Sequence, residues 1–248
     1  MLKAITLALA TSASLIFGAA VAISGSLPPL APEERKELPA VGLIKAVGPD
    51  GVVVCTGTLV AKDLVITSAH CTNRYTGLMN NIEFIAGLNG TRFVANSGAA
   101  EIIQHPNWTS ASGLKRHRYD VAILRLARPI STDRVRPIDV FPAHLTLPKS
   151  GALLGYKSTN TEMLHGSFDC SLSPRSPNGL IASDCPATKG NSGGAVLAEG
   201  KDGWQLVGVI VASARINSNA LVVALDDWLR SHVKDAHLRD AKRTALAQ

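Results

Sequence analysis

An all-β fold closed by a single C-terminal helix is what the sequence predicts, and three observations carry it. Eight apolar runs have the length of strands: Val52–Cys55, Leu64–Ser68, Ile82–Ala86, Glu101–Gln104, Val121–Leu126, Ala152–Leu154, Leu206–Ala212 and Leu221–Ala224. Gly, Pro, Asn or Asp lies between most of them, and these are the residues that turn a chain between strands. Helical periodicity emerges only after Asp226, where Trp228, Leu229 and Val233 recur at helix spacing beside Arg230, Lys234 and Asp235. That spacing gives one apolar and one charged face, as a helix packed on a core requires. With 248 residues, 46% of them hydrophobic, the chain suits one unit with a sizeable core.

Taken in order, the chain begins with Met1-Leu2-Lys3, an apolar run through Ile23, and the small-residue triplet Ala20-Val21-Ala22. A charged start, an apolar middle and a small-residue cleavage site make residues 1–22 a secretory signal. The same run is long enough to span a bilayer, so an uncleaved signal is the one route to a membrane. No Cys follows it closely, which argues against a lipid anchor. Residues 23–38, rich in Pro and charge, read as an N-terminal arm or a short propeptide, and residues 39–248 as the folded domain. Within that domain, Leu64-Val65-Ile66 is a buried strand that delivers Thr67-Ser68-Ala69-His70-Cys71 at its end. Asp120 heads the strand Val121–Leu126, which leaves its carboxylate at the rim. Just before it, Lys115-Arg116-His117-Arg118 reads as a basic loop, which is ordinarily a solvated surface; the alternative is that its place beside Asp120 lets it attract acidic substrates or anionic envelope polymers.

Chemistry is concentrated in Gly190-Asn191-Ser192-Gly193-Gly194, a glycine-framed turn in which a hydroxyl and neighbouring amides can face one substrate atom. A serine hydroxyl is a weak nucleophile at neutral pH and needs an adjacent base, oriented by a third group. Each residue alone has a bland reading: a polar loop, a structural His beside Cys, a capping Asp. Together His70, Asp120 and Ser192 each occupy the local setting that its role requires, and the joint pattern favours catalysis.

On these residues the chain resembles the trypsin-like (chymotrypsin-fold) serine endopeptidases, specifically their bacterial secreted branch. The likeness runs from about Pro39 to Trp228. It includes Cys55-Thr56-Gly57-Thr58-Leu59-Val60, His105-Pro106-Asn107-Trp108 and Gly208-Val209-Ile210-Val211 beside the three motifs. The resemblance implies two antiparallel six-stranded β-barrels with the catalytic residues in the cleft between them, and a C-terminal helix packed on the second barrel. It implies that Ser192 attacks the scissile carbonyl, that His70 takes and returns the proton, and that Asp120 fixes the imidazole. The amides of Gly190 and Ser192 would form the oxyanion hole. Four cysteines allow three pairings. The resemblance implies Cys55 with Cys71, leaving Cys170 with Cys185.

Two departures refine the expectation. Many trypsin relatives have Asp before the nucleophile, where it pairs with a newly freed N-terminus; here Asn191 stands, so the site should form without that cleavage. Counted without gaps, the pocket positions fall on Pro186, Ala187 and Ile210, none of which offers a charge partner. A small or apolar residue before the scissile bond (P1) is therefore expected, since a charged one would be buried unpaired.

Two further readings stand beside the endopeptidase. One is a catalytically silent relative binding peptide, glycan or protein through the cleft, against which intact His70, Asp120, Ser192 and Gly190 weigh. The other is a quality-control protease of the high-temperature-requirement type, which the Cys beside His70 makes atypical. No cofactor is needed, no Cys-x-x-Cys pair or His cluster has metal-ligand spacing, and no dense carboxylate loop suggests calcium. The net charge of +6 is mostly scattered, and aromatics make up only 4% of the chain. Nucleic-acid binding therefore has no support. Protein or peptide substrates, a monomer, and a secreted or periplasmic location are expected.

Overall fold

The computed structural model describes residues 25–48, 51–72, 81–214 and 218–246, so the expected signal at 1–22 lies outside the described residues. Before the first barrel comes α1 (Pro32–Glu37). The barrel itself comprises β1 (Val41–Gly48), β2 (Gly51–Ala61), β3 (Leu64–Thr67), β4 (Ile82–Ala86), β5 (Ala95–Gln104) and β6 (Ala122–Leu126). These close in the order β1-β2-β3-β6-β5-β4, all antiparallel. Closure removes the edges that would otherwise offer unpaired backbone groups. Alternation is clearest in β4, where Ile82, Phe84 and Ala86 point into the barrel. β3 is buried along its whole length, as its unbroken Leu64-Val65-Ile66-Thr67 run requires.

The second barrel follows a two-residue strand, β7 (Asp139–Val140). It contains β8 (Ser150–Lys157), β9 (Asn160–Ser171), β10 (Leu180–Pro186), β11 (Ala195–Gly200), β12 (Gly203–Ser213) and β13 (Asn219–Ala224), in the order β10-β13-β12-β11-β8-β9. β7 adds in parallel to β12. The two ends of this sheet, β9 and β10, are joined by the bridge Leu172↔Ser183, by the Ser171 N–H donated to Asp184 Oδ1 at 2.7 Å, and by Ser173 N–H to Ala182 O at 2.9 Å with Ala182 N–H to Ser173 Oγ at 2.8 Å. The Cys170–Cys185 disulfide crosses that seam. Its covalent closure reinforces this short pairing. The other disulfide joins Cys55 to Cys71, so the pairing implied by the resemblance is the one found.

Three segments gain detail beyond their sequence description. Residues 25–38, read as an arm or a short propeptide, are packed. Leu27 and Leu30 are buried, Leu30 N–H donates to Leu164 O at 3.1 Å, and Gly166 N–H to Pro28 O at 2.9 Å, so the arm runs along β9. The expected basic loop is a short helix, α2 (Gly113–Arg118), begun by Gly113 at φ +57°. The C-terminal helix, α3 (Asp227–Leu246), buries Leu229, Val233 and Ala236. It touches β2 of the first barrel as well as the β7 region, where Arg230 Nη1 donates to Phe141 O. It therefore bridges both barrels instead of resting on the second alone.

Candidate active site

His70 sits on a 3-10 turn, Ala69–Cys71, immediately after β3. Two neighbours hold that turn in place. The Cys71–Cys55 disulfide ties it to β2, and Ser68 Oγ donates to Ile210 O of β12 at 3.0 Å, which fastens it to the second barrel. Asp120 follows α2 and precedes β6, and its N–H donates to His117 O. The carboxylate is buried at 2% exposure and both of its oxygens face His70. Oδ2 lies 2.7 Å from His70 Nδ1, and Oδ1 accepts the His70 backbone N–H at 2.8 Å. The two bonds fix both the plane of the ring and its position, while the ring stays part-exposed toward the cleft. An imidazole so held keeps its proton on Nδ1 and presents Nε2 as a base.

Behind Asp120 lies a second histidine. His105 is buried, stacked on Tyr119 at 4.8 Å and edge-on to Trp228 at 5.0 Å, with Nε2 3.2 Å from Asp226 Oδ2. Loss of hydration holds its pKa below the usual histidine value, although Asp226 opposes this and Arg118 adds to it. Tyr119 directly precedes Asp120, so this stack connects α3 to the residue next to the carboxylate.

The turn at residues 188–194 is built from hydrogen bonds that leave two amides over. Asn191 is fully buried; its Oδ1 accepts Thr188 N–H at 2.7 Å and its Nδ2 donates to Tyr156 O at 2.9 Å. Asn191, Gly193 and Gly194 donate their N–H groups to Thr188 O, Ile210 O and Asn191 O respectively. Among the described hydrogen bonds, the N–H groups of Gly190 and Ser192 donate to no protein group. Thr56 of β2 clamps the turn from the first barrel. Its N–H donates to Ser192 O at 2.8 Å, its Oγ1 donates to Gly190 O at 2.8 Å and accepts Tyr156 N–H at 2.8 Å, and its own carbonyl accepts Thr67 Oγ1 at 2.7 Å. Ser192 O also lies 3.9 Å from Cys71 Sγ, beside His70.

Glycine is required at two points of this turn. Gly190 has φ +98° and a Cβ there would meet Ser158 N at 2.5 Å; Gly193 has φ +79° and its Cβ would meet Thr56 O at 2.0 Å. Both the backbone conformation and the close approach of neighbouring backbone exclude a side chain, from within the second barrel at Gly190 and from the first barrel at Gly193.

The expected pocket residues lie together in the second barrel. Pro186, Ala187 and Ile210 are buried, and Ala187 and Ile210 share one apolar cluster with Cys185. It is Val211, the neighbour of Ile210, that reaches the open cleft beside His70. That cleft, of about 540 Å³, is also lined by Asp120, Trp108, Arg116 and His117. Sequence reasoning missed Val211 and Thr56, for which only the surrounding motif gave a signal. Cys55, His70 and Cys71 have their donor atoms within 4.8 Å of one another, but both sulfurs are committed to the disulfide and offer no thiolate to a metal. No helix among the described residues is long and apolar enough to cross a membrane.

Comparison with known proteins follows the same geometry. The family model described as Trypsin matches residues 32–226. Kallikrein-11 from Homo sapiens is 30% identical over 116 residues, covering 45% of this chain and 39% of that protein. Kallikrein-11 from Mus musculus is 25% identical over 116 residues, 45% and 40% of the two chains. Chymotrypsin-like elastase family member 1 from Canis lupus familiaris is 29% identical over 113 residues, 42% and 37%. The chain thus spans about two-fifths of the length of these curated relatives (39%, 40% and 37%).

Proposed function

This chain belongs to the trypsin family, and from that premise we propose that it is a serine endopeptidase in which Ser192 is the nucleophile, His70 the base and Asp120 the orienting carboxylate. One observation carries the reading: a buried carboxylate holds His70 by two hydrogen bonds, one to ring Nδ1 and one to its backbone N–H, and the Gly190 and Ser192 amides of the serine turn have no protein acceptor among the described hydrogen bonds. Gly190 is buried and Ser192 half-buried, and two unpaired amides on one turn support an oxyanion site there. In the proposed reaction Ser192 Oγ bonds to the scissile carbonyl carbon as its proton passes to His70 Nε2. The tetrahedral oxyanion is stabilised by the two amides, and the C–N bond breaks as the amine takes the proton from His70. Water then repeats the sequence to release the acyl group.

Activation needs no new N-terminus on this reading, because the Asn191 amide already has partners on both of its polar atoms. Residues 23–38 act as a retained arm: burying a Leu side chain contributes about 1.5–3 kcal/mol, and the arm buries Leu27 and Leu30. The neutral setting of Pro186, Ala187 and Ile210 favours a small or apolar P1 residue. Export through residues 1–22 to a secreted or periplasmic location fits two disulfides in one domain. The Gly190-Asn191-Ser192-Gly193 turn is the feature that favours the bacterial branch.

The test is the intact mass of the oxidised protein after exposure to a fluorophosphonate, with Ser192→Ala alongside. One adduct, absent from the variant, is expected. No adduct, before and after limited proteolysis within residues 24–37, would leave the catalytically silent binding protein as the reading.

A further inference from the structure

The cleft beside His70 carries a positive charge that no ion pair among the described residues neutralises. Its far wall is α2, whose last turn holds Lys115, Arg116, His117 and Arg118 in succession with no acidic residue in the helix. Arg116 and His117 line the cleft together with His70. The Arg116 guanidinium lies 4.1 Å over the ring of Trp108, which is buried at 4% exposure. A cation held over a fixed indole has lost part of its rotamer freedom before any partner arrives. Asp120 is the acidic group in the cleft, and both of its oxygens are already committed to His70. Among the described ion pairs, none involves residues 115–118. Arg118 turns away, with its side chain packed against Gly179 and Tyr119.

The position of this charge is fixed to the chemistry. Tyr119 N–H donates to Arg116 O and Asp120 N–H to His117 O, so the turn that presents Arg116 is the one that delivers Asp120. A substrate side chain that enters the cleft beside His70 meets Trp108 and Arg116. An apolar residue there would strip water from the guanidinium without replacing it. A carboxylate would meet it with two parallel hydrogen bonds.

Building on the proposed proteolysis, we propose that Arg116, with Trp108 as its platform, selects substrates that carry Asp or Glu at a residue adjacent to, but distinct from, P1. The selectivity then has two parts: a neutral P1 residue and an acidic neighbour across the His70 cleft.

Quenched fluorescent peptides with Ala at P1 and either Glu or Gln at each of the three positions before P1 and the three after the scissile bond read this directly as kcat/KM ratios. At one position the Glu peptide should be favoured about fivefold at low salt, the scale of a part-exposed ion pair. The preference should shrink at high salt. Arg116→Gln should bring that ratio close to one, and Arg116→Glu should favour Lys over Glu at the same position. A wild-type ratio below two at every position, or one that Arg116→Gln leaves unchanged, overturns the assignment. Failure of hydrolysis itself is distinguishable, because binding of the same peptides to the Ser192→Ala chain reads the Glu/Gln contrast without turnover. Equal binding of the two peptides there would overturn the assignment by itself.

Discussion

Replacing Thr56 by Val removes one hydroxyl and changes almost nothing else: volume, β-branching and strand preference are all retained. In the native chain that hydroxyl donates to Gly190 O and accepts from Tyr156 N–H, each at 2.8 Å, in a side chain with no exposure. Without it, a buried carbonyl and a buried N–H lose their partners. Each such group costs about 1–3 kcal/mol, and the carbonyl falls at the lower end, so a loss of about 2–4 kcal/mol is expected. For a domain of this size that corresponds to a fall in Tm of roughly 5–15 °C. The consequence for chemistry follows from the position of Gly190. Its φ of +98° is maintained partly by that bond, and release lets its amide turn away from the oxyanion position. Losing an oxyanion donor outright costs about 10²–10³ in rate; a loosened one should cost about 10- to 100-fold. Thermal melting gives the first quantity, and the rate of fluorophosphonate labelling of folded protein gives the second. Thr56→Ser, which keeps the hydroxyl, should recover most of the labelling rate. A Tm within about 1 °C of wild type, with unchanged labelling, would refute the reasoning. A lower Tm with unchanged labelling would refute only the link to the oxyanion site.

Three other outcomes are expected. Asn191→Asp places an unpaired carboxylate oxygen near Tyr156 O, where Nδ2 now donates at 2.9 Å, and should cost about 3–5 kcal/mol at neutral pH. Because burial raises the pKa of such a carboxyl, part of this loss relative to wild type should be regained as pH falls, which paired melts at pH 7.5 and 4.5 would detect. Replacing Cys170 and Cys185 together by Ser should destabilise by about 3 kcal/mol on the chain-entropy account of a loop this long, read from denaturant midpoints. His105 and His165 both have pKa values held below 6.5, chiefly by loss of hydration. Their neutral forms are favoured by folding, so their contribution is fully present above about pH 6.5 and is lost as pH falls through their folded values. Denaturant midpoints should therefore decline from pH 7 toward pH 5, and His165→Phe should flatten part of that decline.

Legibility from the sequence followed how each element is buried. β3, β4, β6 and β13 were visible because two covered faces, or strict alternation, leave continuous or periodic apolar residues. β9 was not: Asn160-Thr161-Glu162 through Asp169-Cys170-Ser171 is largely polar, and only Leu164, His165, Gly166 and Cys170 are buried within it. Its pairing comes from β8, a long-range partner that a local pattern does not record. α1 and α2 are six residues each, too short for a periodicity to accumulate. The arm before α1 was read by its Pro and charge, while Leu27 and Leu30 supply its docking. At the candidate site, His70, Asp120 and Ser192 were legible because each stands in a distinctive local string. Thr56 and Val211 were not, because their importance lies in what they meet across the two barrels.

That difference has a physical consequence for how the site is held. Ser192 and His70 belong to different barrels, so neither barrel alone can fix their relation. The connections that cross the interface at the site are specific: Thr56 to Ser192 and Gly190, and Ser68 to Ile210. Each of them terminates within two residues of His70 or Ser192, or on Thr56, the neighbour of Cys55, while Tyr156 Oη to Leu88 O and Gly90 N–H to Glu162 O join the barrels farther away. The Cys55–Cys71 disulfide then ties Thr56 to the histidine turn, which makes the clamp on the nucleophile turn and the support of the base a single unit. Part of the bonding that docks the barrels therefore also sets the geometry of the site, and Gly193 must be glycine because a Cβ there would meet the Thr56 carbonyl oxygen at 2.0 Å. A substitution that loosens the interface should for this reason reduce reactivity before it unfolds either barrel.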